Sequence, residues 1–190
     1  LSRNGFLVVI TAPSGSGKTT IYRHLLKNYK DFEYSVSFTT RRKRKDEVEG
    51  VDYFYIGRKV FEKMIEEGDF IEWAIVHGEL YGTEKRQIVD CLDRKKICIL
   101  SIDVQGAIRV MQEYPDAVTI FIEPPSIEEL ERRLRKRGTE SEEEMQIRLM
   151  NAQNELEYKN HFKYIVVNDL VKNALKEVEN IIAHEKELRR

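Results

Sequence analysis

Eight residues near the start of the chain, Ala12-Pro13-Ser14-Gly15-Ser16-Gly17-Lys18-Thr19, have the types and spacing needed to grip a row of phosphates. They match the phosphate-loop pattern G-x-x-x-x-G-K-[ST] at every defined position except Ala12. Glycines let the backbone curl so that successive N–H groups converge on an anion at the positive end of a helix. Lys18 would reach the β- and γ-phosphates of a nucleoside triphosphate, and the Thr19 hydroxyl, followed by Thr20, would face a Mg²⁺ ion. An Ala12 methyl is tolerable if the backbone there has ordinary dihedrals. Downstream, Asp103-Val104-Gln105-Gly106 sets a carboxylate just after an apolar run, where it could reach a hydrated metal or a base amine; the same aspartate also suits a helix N-cap.

Two basic clusters come next. Arg41-Arg42-Lys43-Arg44-Lys45 is followed at once by Asp46, Glu47, Glu49 and Asp52. The acids nearly cancel the run, which favours a compact anion site over a track for a long polyanion. Arg132-Arg133-Leu134-Arg135-Lys136-Arg137-Gly138 is the second cluster, ahead of an acidic helix start at Ser141-Glu142-Glu143-Glu144.

The elements that must carry these groups follow from periodicity. Residues 6–11 read as a strand, then the glycine loop, then a helix from about Lys18 to Tyr29. Residues 34–39 alternate in strand fashion. A short helix is expected over Val60–Glu66, an extended piece at Phe70–Trp73 and a helix from Thr83 to about Arg94. Ile97–Ile102 and Val118–Ile122 read as buried parallel strands. A helix follows each, over Gln105–Glu113 and from Ser126 to about Lys136, where Ser126 and Glu129 suit a capping box. Ser141 and Glu144 suit a second box, for a helix to about Tyr158. A last strand at Tyr164–Val167 and a helix over Leu170–Glu187 complete an α/β order with a parallel sheet covered on both faces. Residues 36–85 read as a polar, strand-poor insertion.

The chain has 190 residues, with 32 Lys and Arg against 33 Asp and Glu, a formal net charge of -1. That balance weighs against a general nucleic-acid surface. The longest strongly apolar run, Phe6–Ile10, is too short to span a bilayer or to serve as a signal peptide. Cys91 and Cys98 form no C-x-x-C pair and suit buried packing, and the four histidines show no metal-ligand spacing. A cytoplasmic setting fits.

In order and spacing, a set of segments resembles the guanylate kinases over about residues 6–185. They are Ser35-Val36-Ser37-Phe38-Thr39-Thr40-Arg41, Arg44, Gly50-Val51-Asp52-Tyr53, Phe70-Ile71-Glu72-Trp73, Tyr81-Gly82-Thr83, Ile102-Asp103-Val104-Gln105-Gly106, Pro124-Pro125-Ser126, Arg137-Gly138-Thr139-Glu140 and Val166-Val167-Asn168-Asp169. The resemblance implies a P-loop α/β core (about 1–34, 86–131 and 150–190), a GMP-binding insertion (35–85) and a helical lid (132–149), all in one domain. It implies transfer of the ATP γ-phosphoryl group to GMP with Mg²⁺. GMP and ATP would be its partners, with no nucleic acid or membrane, in a monomer or small homo-oligomer.

Glu72 would accept from guanine N1–H and its exocyclic amine, a donor pair adenine lacks. Ser37 and Thr83 would serve guanine O6, Asp103 would lie near the guanine amine, and Arg41, Arg44, Tyr53 and Tyr81 would hold the GMP phosphate. ATP would sit on residues 12–20, with Asn168 near the adenine. Thr19 would hold Mg²⁺ directly and Asp103 through water. Lys18, Arg41, Arg133, Arg137 and Arg148 would stabilise the transferring group. Ser101 departs from the family's frequent aspartate, which removes one negative charge from the metal's outer shell. Guanylate-kinase-like scaffold modules that bind phosphopeptides share this fold without catalysis, but they typically lose the ATP loop. A GTPase would need an N-K-x-D motif, which is missing, and Glu72 with Ser37 and Thr83 disfavours a kinase for another nucleotide.

Overall fold

The computed structural model describes residues 5–76, 78–137 and 142–190. Strand β1 (Phe6–Thr11) runs into the glycine loop and helix α1 (Lys18–Asn28), followed by β2 (Phe32–Tyr34). After residues 38–84 come α3 (Lys85–Asp93), β7 (Ile97–Ser101), α4 (Val104–Glu113) and β8 (Val118–Glu123). Helices α5 (Ile127–Arg137) and α6 (Glu142–Glu157), a 3₁₀ turn at Lys159–His161, β9 (Tyr164–Val167) and α7 (Val171–Leu188) complete the chain. The main sheet has the order β2-β7-β1-β8-β9 and every pairing in it is parallel.

Alternation along β1 explains the layers. Phe6, Val8 and Ile10 join Ile21 and Leu25 of α1 and Val178 and Ile182 of α7 on one face. Leu7 and Val9 join Ile88 and Cys91 of α3 and Ala107 and Val110 of α4 on the other. A one-residue slip would exchange both sets, so burial on both faces locks the register. The chain leaves β1 toward β2 and β7 on one side and fills β8 and β9 on the other. The carboxyl ends of β1 and β7 therefore open onto a crevice at the point where strand order reverses, the usual ligand position in such sheets. Among the described residues no helix is long and apolar enough to cross a membrane.

Residues 38–84 form a second sheet, which corrects the strand-poor expectation. Its strands β3 (Phe38–Thr39), β4 (Phe54–Tyr55), β5 (Phe70–Val76) and β6 (Glu79–Glu84) have the order β4-β3-β6-β5. Helix α2 (Arg58–Glu66) begins two residues earlier than expected and supplies Phe61, which packs with Phe70 and Leu80. Two-residue strands carry too little period to read, and β6 holds Gly82 because a Cβ there would fall 2.9 Å from the Phe61 ring.

The expected continuous strand over 34–39 divides between the two sheets. Both backbone groups of Val36 are taken by the Gln87 side chain, at 2.9 and 3.0 Å. This lets the chain leave the first sheet without stranding its polar groups. The helix expected from Thr83 starts at Lys85, because Thr83 belongs to β6. Half of the first capping box forms: the Glu129 N–H donates to Ser126 Oγ at 3.2 Å, while the Glu129 carboxylate accepts from Arg132 and Arg133 instead. Ser141 of the second box, with Gly138, Thr139 and Glu140, lies outside the described residues.

Candidate active site

The loop after β1 curls where the glycines are. Gly15 and Gly17 have φ of 94° and 92°, a region that strongly favours glycine. The Ser16 N–H closes a turn on the Pro13 carbonyl at 3.0 Å. Ala12 keeps an ordinary negative φ and its methyl joins the core, so the departure from glycine costs the loop little. Ser14, Thr19 and Thr20 are exposed at its mouth. Three buried polar atoms around it, Thr11 Oγ1, Ser16 Oγ and Asn168 Oδ1, have no hydrogen-bond partner. Such orphans collect where structure serves a ligand.

Asn168 was expected near an adenine. The structure buries it beneath the loop, 1% exposed, with Nδ2 donating to the Ser16 carbonyl at 2.7 Å. A Cβ at Gly17 would come within 2.3 Å of that nitrogen, so glycine there serves both the turn and this contact. In this arrangement Asn168 supports the loop from below.

Lys18 reaches across to the end of β7, donating to the Ile102 carbonyl at 2.8 Å. Burial pushes its pKa down, against the opposing fields of Asp103, Glu155 and Glu72. The desolvated cation thus sits in the field of three carboxylates carried by three different segments. Asp103 caps α4, accepting from the Gly106 N–H at 2.9 Å, so the cap and the site group are one residue.

Glu72 is aimed by a β-bulge. Phe70 pairs with Glu84 and Glu72 with Thr83, which leaves Ile71 as the extra residue. Ile71 turns into the main core and Glu72, 4% exposed, turns toward α4. Thr83, fully buried, donates to Glu72 Oε1 at 2.5 Å; here its hydroxyl proton is committed to the carboxylate. Burial raises the Glu72 pKa to about 7; the Thr83 hydrogen bond opposes this, Asp103 adds to it, and Arg109 and Lys18 offset part of it. Ser37, also buried, lies just before β3 in the same small sheet.

Gly106 makes this approach close. A Cβ there would fall 2.4 Å from Glu72 Oε2. Gly106→Ala gains helix propensity, worth about 1 kcal/mol, yet must displace the carboxylate. We expect a folded variant that melts near the parent, because the gain in propensity offsets the displacement of the carboxylate, with a melting temperature many degrees lower as the contrary result.

Farther out, Arg41 donates from Nε to the Tyr81 hydroxyl at 3.1 Å, and its guanidinium lies 5.4 Å from the Tyr53 ring centre. The Tyr53 and Tyr81 rings meet edge-on at 5.8 Å. Burial pushes the Tyr53 pKa up to about 12, so it stays a neutral hydroxyl. Arg44 is exposed on the same loop. Arg23 of α1 pairs with Asp52, tying this loop to the main core.

On the other flank Arg148 of α6 donates to Ser14 Oγ at 2.9 Å. Arg133 of α5 donates to the Glu129 carboxylate at 2.8 Å and to the Asn168 carbonyl at 2.9 Å. Arg137 ends α5, and its side chain lies outside the described residues. Ser14, Asp103, Arg109, Arg148 and Glu155 line a cavity of about 690 Å³. Glu155 escaped the sequence reading although it lies seven residues after Arg148, on the same face of α6. It lines the cavity with Asp103, and burial, eased by Lys18, raises its pKa to about 7. Arg109 also escaped: it donates to the Trp73 carbonyl and lies over that ring, fixing β5 against α4.

Residues 4–185 match the family model described as guanylate kinase. The guanylate kinase of Clostridium tetani is 45% identical over 182 residues, covering 96% of this chain and 87% of the relative. That of Caldanaerobacter subterraneus is 45% identical over 186 residues, covering 98% and 90%. The crystal structure of guanylate kinase from Anaplasma phagocytophilum superposes with a TM-score of 0.81 at 34% identity, covering 96% of this chain and 87% of that one. Matched over nearly its whole length by this family model and these relatives, this chain belongs to the guanylate kinase family and transfers a phosphoryl group from ATP to GMP.

Proposed function

We propose that the guanine of GMP lies against Glu72, Ser37, Thr83 and Asp103, that its phosphate is held by Arg41, Arg44, Tyr53 and Tyr81, and that ATP lies on residues 12–20. The observation that carries this is Glu72. It is a buried carboxylate, aimed by a bulge, beside Lys18 of the triphosphate loop and Asp103. Residues 35–85 form the acceptor-binding part and residues 132–149 the lid, with the rest as core.

The reaction needs no covalent intermediate. A GMP phosphate oxygen attacks the γ-phosphorus in line, and the protein's work is placement and charge stabilisation. Lys18, Arg41, Arg133, Arg137 and Arg148 neutralise charge on the transferring group. The Arg148–Ser14 bond supports α6 as the element that closes on the glycine loop and keeps water from taking the phosphoryl group.

Among the described residues no cluster of three or more His, Cys, Asp or Glu side chains could hold a metal alone. One exposed hydroxyl and one partly buried carboxylate fit Mg²⁺, which keeps its waters and is shared with substrate phosphates. Thr19 would hold it directly and Asp103 through water, and it would neutralise charge on the β- and γ-oxygens. Ser101 closes β7 without a carboxylate, and Glu155 brings one to the same crevice from α6.

The test is ADP formation from ATP and Mg²⁺ with GMP, AMP, CMP and UMP in parallel. Turnover with GMP at least about a hundredfold above the others is expected. Equal use of AMP would refute the Glu72 assignment, and no turnover by protein that binds ATP would favour a binding module.

A further inference from the structure

The acid that follows the first basic run has a place in the site that charge counting concealed. Glu47 closes a tight turn, its N–H donating to the Arg44 carbonyl at 3.2 Å. Its carboxylate accepts four hydrogen bonds. Arg41 gives two, from Nη1 at 3.0 Å and Nη2 at 2.7 Å. The Arg44 N–H gives one at 2.8 Å and the Tyr55 hydroxyl one at 2.7 Å. The Arg41 and Glu47 side chains are only 17% and 16% exposed, so solvent screens the pair weakly.

A guanidinium offers five N–H groups in a rigid fork. Glu47 takes the edge formed by the two terminal nitrogens, and the Arg42 carbonyl takes another Nη1 hydrogen at 2.8 Å. On the remaining edge Nε donates to the Tyr81 hydroxyl at 3.1 Å, and the second Nη2 hydrogen points the same way. A phosphate oxygen that took the hydroxyl's place on Nε would meet a two-donor fork of Nε and Nη2, with Tyr81 freed to donate its own proton beside it. We infer that Glu47 is a positioning residue for the acceptor phosphate: it clamps one edge of Arg41 so that the other is presented, beside Tyr81, to GMP. The inference rests on the phosphate placement proposed above.

A competing role is that Glu47 imitates the phosphate and leaves when GMP arrives. Departure would strip the Arg44 N–H and the Tyr55 hydroxyl of their acceptor as well as Arg41, and those bonds come from groups that a phosphate on the Tyr81 side would not replace. Burial alone would raise the Glu47 pKa, but the hydrogen bonds from Arg41, the Arg44 N–H and Tyr55 outweigh it and hold it at about 2. The clamp is therefore charged throughout the neutral range.

The experiment compares Glu47→Gln and Tyr55→Phe with the parent by calorimetric titration of GMP and of guanosine, with KM for ATP and melting temperature alongside. Glu47→Gln should weaken GMP binding about tenfold or more and Tyr55→Phe about two- to fivefold, with guanosine affinity and KM for ATP unchanged. Unchanged or tighter GMP binding by Glu47→Gln overturns the inference, as does an equal loss for guanosine. If Glu47→Gln does not fold, unchanged GMP binding by Tyr55→Phe overturns it. Arg41→Lys separates the two levels. If it binds GMP as the parent does, the phosphate placement itself fails; if it weakens GMP but Glu47→Gln does not, Glu47 alone is misassigned.

Discussion

Lys18→Ala should fold normally and lose turnover by about a thousandfold or more, the scale expected when a preorganised charge on a transferring phosphoryl group is removed. The expectation on stability follows from the same side chain. Burial holds the folded-state Lys18 pKa below its ordinary value of 10.5. A depressed pKa means that the folded state binds this proton more weakly than the unfolded chain. The stabilising side of that linkage lies above the ordinary pKa and is lost as pH falls through the folded value. At neutral pH the protein therefore carries the burden of a desolvated ammonium, eased by Asp103, Glu155 and Glu72. Removing the charge relieves the burden but leaves the Ile102 carbonyl without its donor. The melting temperature should stay within a few degrees of the parent or rise, while kcat collapses. Lys18→Met, which fills the space, should show the same split. A variant that keeps kcat within tenfold of the parent would remove Lys18 from the chemistry, and one that loses kcat only because it is unfolded would show in the melting curve.

The main sheet was legible because its strands are buried on both faces. Phe6–Ile10 and Ile97–Leu100 are unbroken apolar runs, Val118–Ile122 is interrupted only by Thr119, and each is followed by helical spacing. The second sheet was not, because little local period marks it. β3 and β4 contribute two residues each, and their partners are distant in sequence: Phe38 pairs with Phe54 and with Gly82. The break after Tyr34 depends on Gln87, some fifty residues later. No window of residues around Val36 contains the group that ends the strand.

The site divides in the same way. Lys18, in a compact motif, could be named from spacing alone, whereas Asp103 also read as a helix cap and took its site role from the resemblance. Glu72 was distinguished from a surface carboxylate only by resemblance, since the bulge that buries it is a property of pairing with β6. Glu47 read as a neutraliser of its neighbours and proves to be a four-bonded clamp. Asn168 stood at a matching position, but its burial under the glycine loop comes from the approach of β9 to β1 through β8.

Glu72→Gln should raise the KM for GMP about a hundredfold without opening the site to AMP. A carboxylate accepts from both guanine N1–H and the exocyclic amine. A glutamine amide accepts one and turns its own N–H toward the other donor, so a buried polar group goes unpaired. Adenine still lacks the donor pair, so its discrimination persists. The charge state gives a second, independent readout. Burial first, then the field of Asp103, raise the Glu72 pKa to about 7, against the Thr83 hydrogen bond, Arg109 and Lys18. Only the ionised form can accept both guanine donors. Between pH 8 and pH 6 the ionised fraction falls from about nine-tenths to about one-tenth, so the KM for GMP should rise about tenfold as pH falls. GMP binding at pH 7 should release about half a proton per molecule bound, measurable as a binding heat that varies with the buffer's ionisation enthalpy. For the protein alone the sign is opposite to that of an ion-paired carboxylate. The raised pKa contributes stability below the unfolded value, near 4.5, and that contribution is lost as pH rises through about 7. GMP therefore stabilises most where Glu72 unaided stabilises least. Glu155 titrates in the same range, so Glu155→Gln is the control: it should leave the pH dependence of GMP binding in place, whereas Glu72→Gln should flatten it. If Glu155→Gln flattens the profile and Glu72→Gln leaves it sloping, the carboxylate that reads the base is not Glu72.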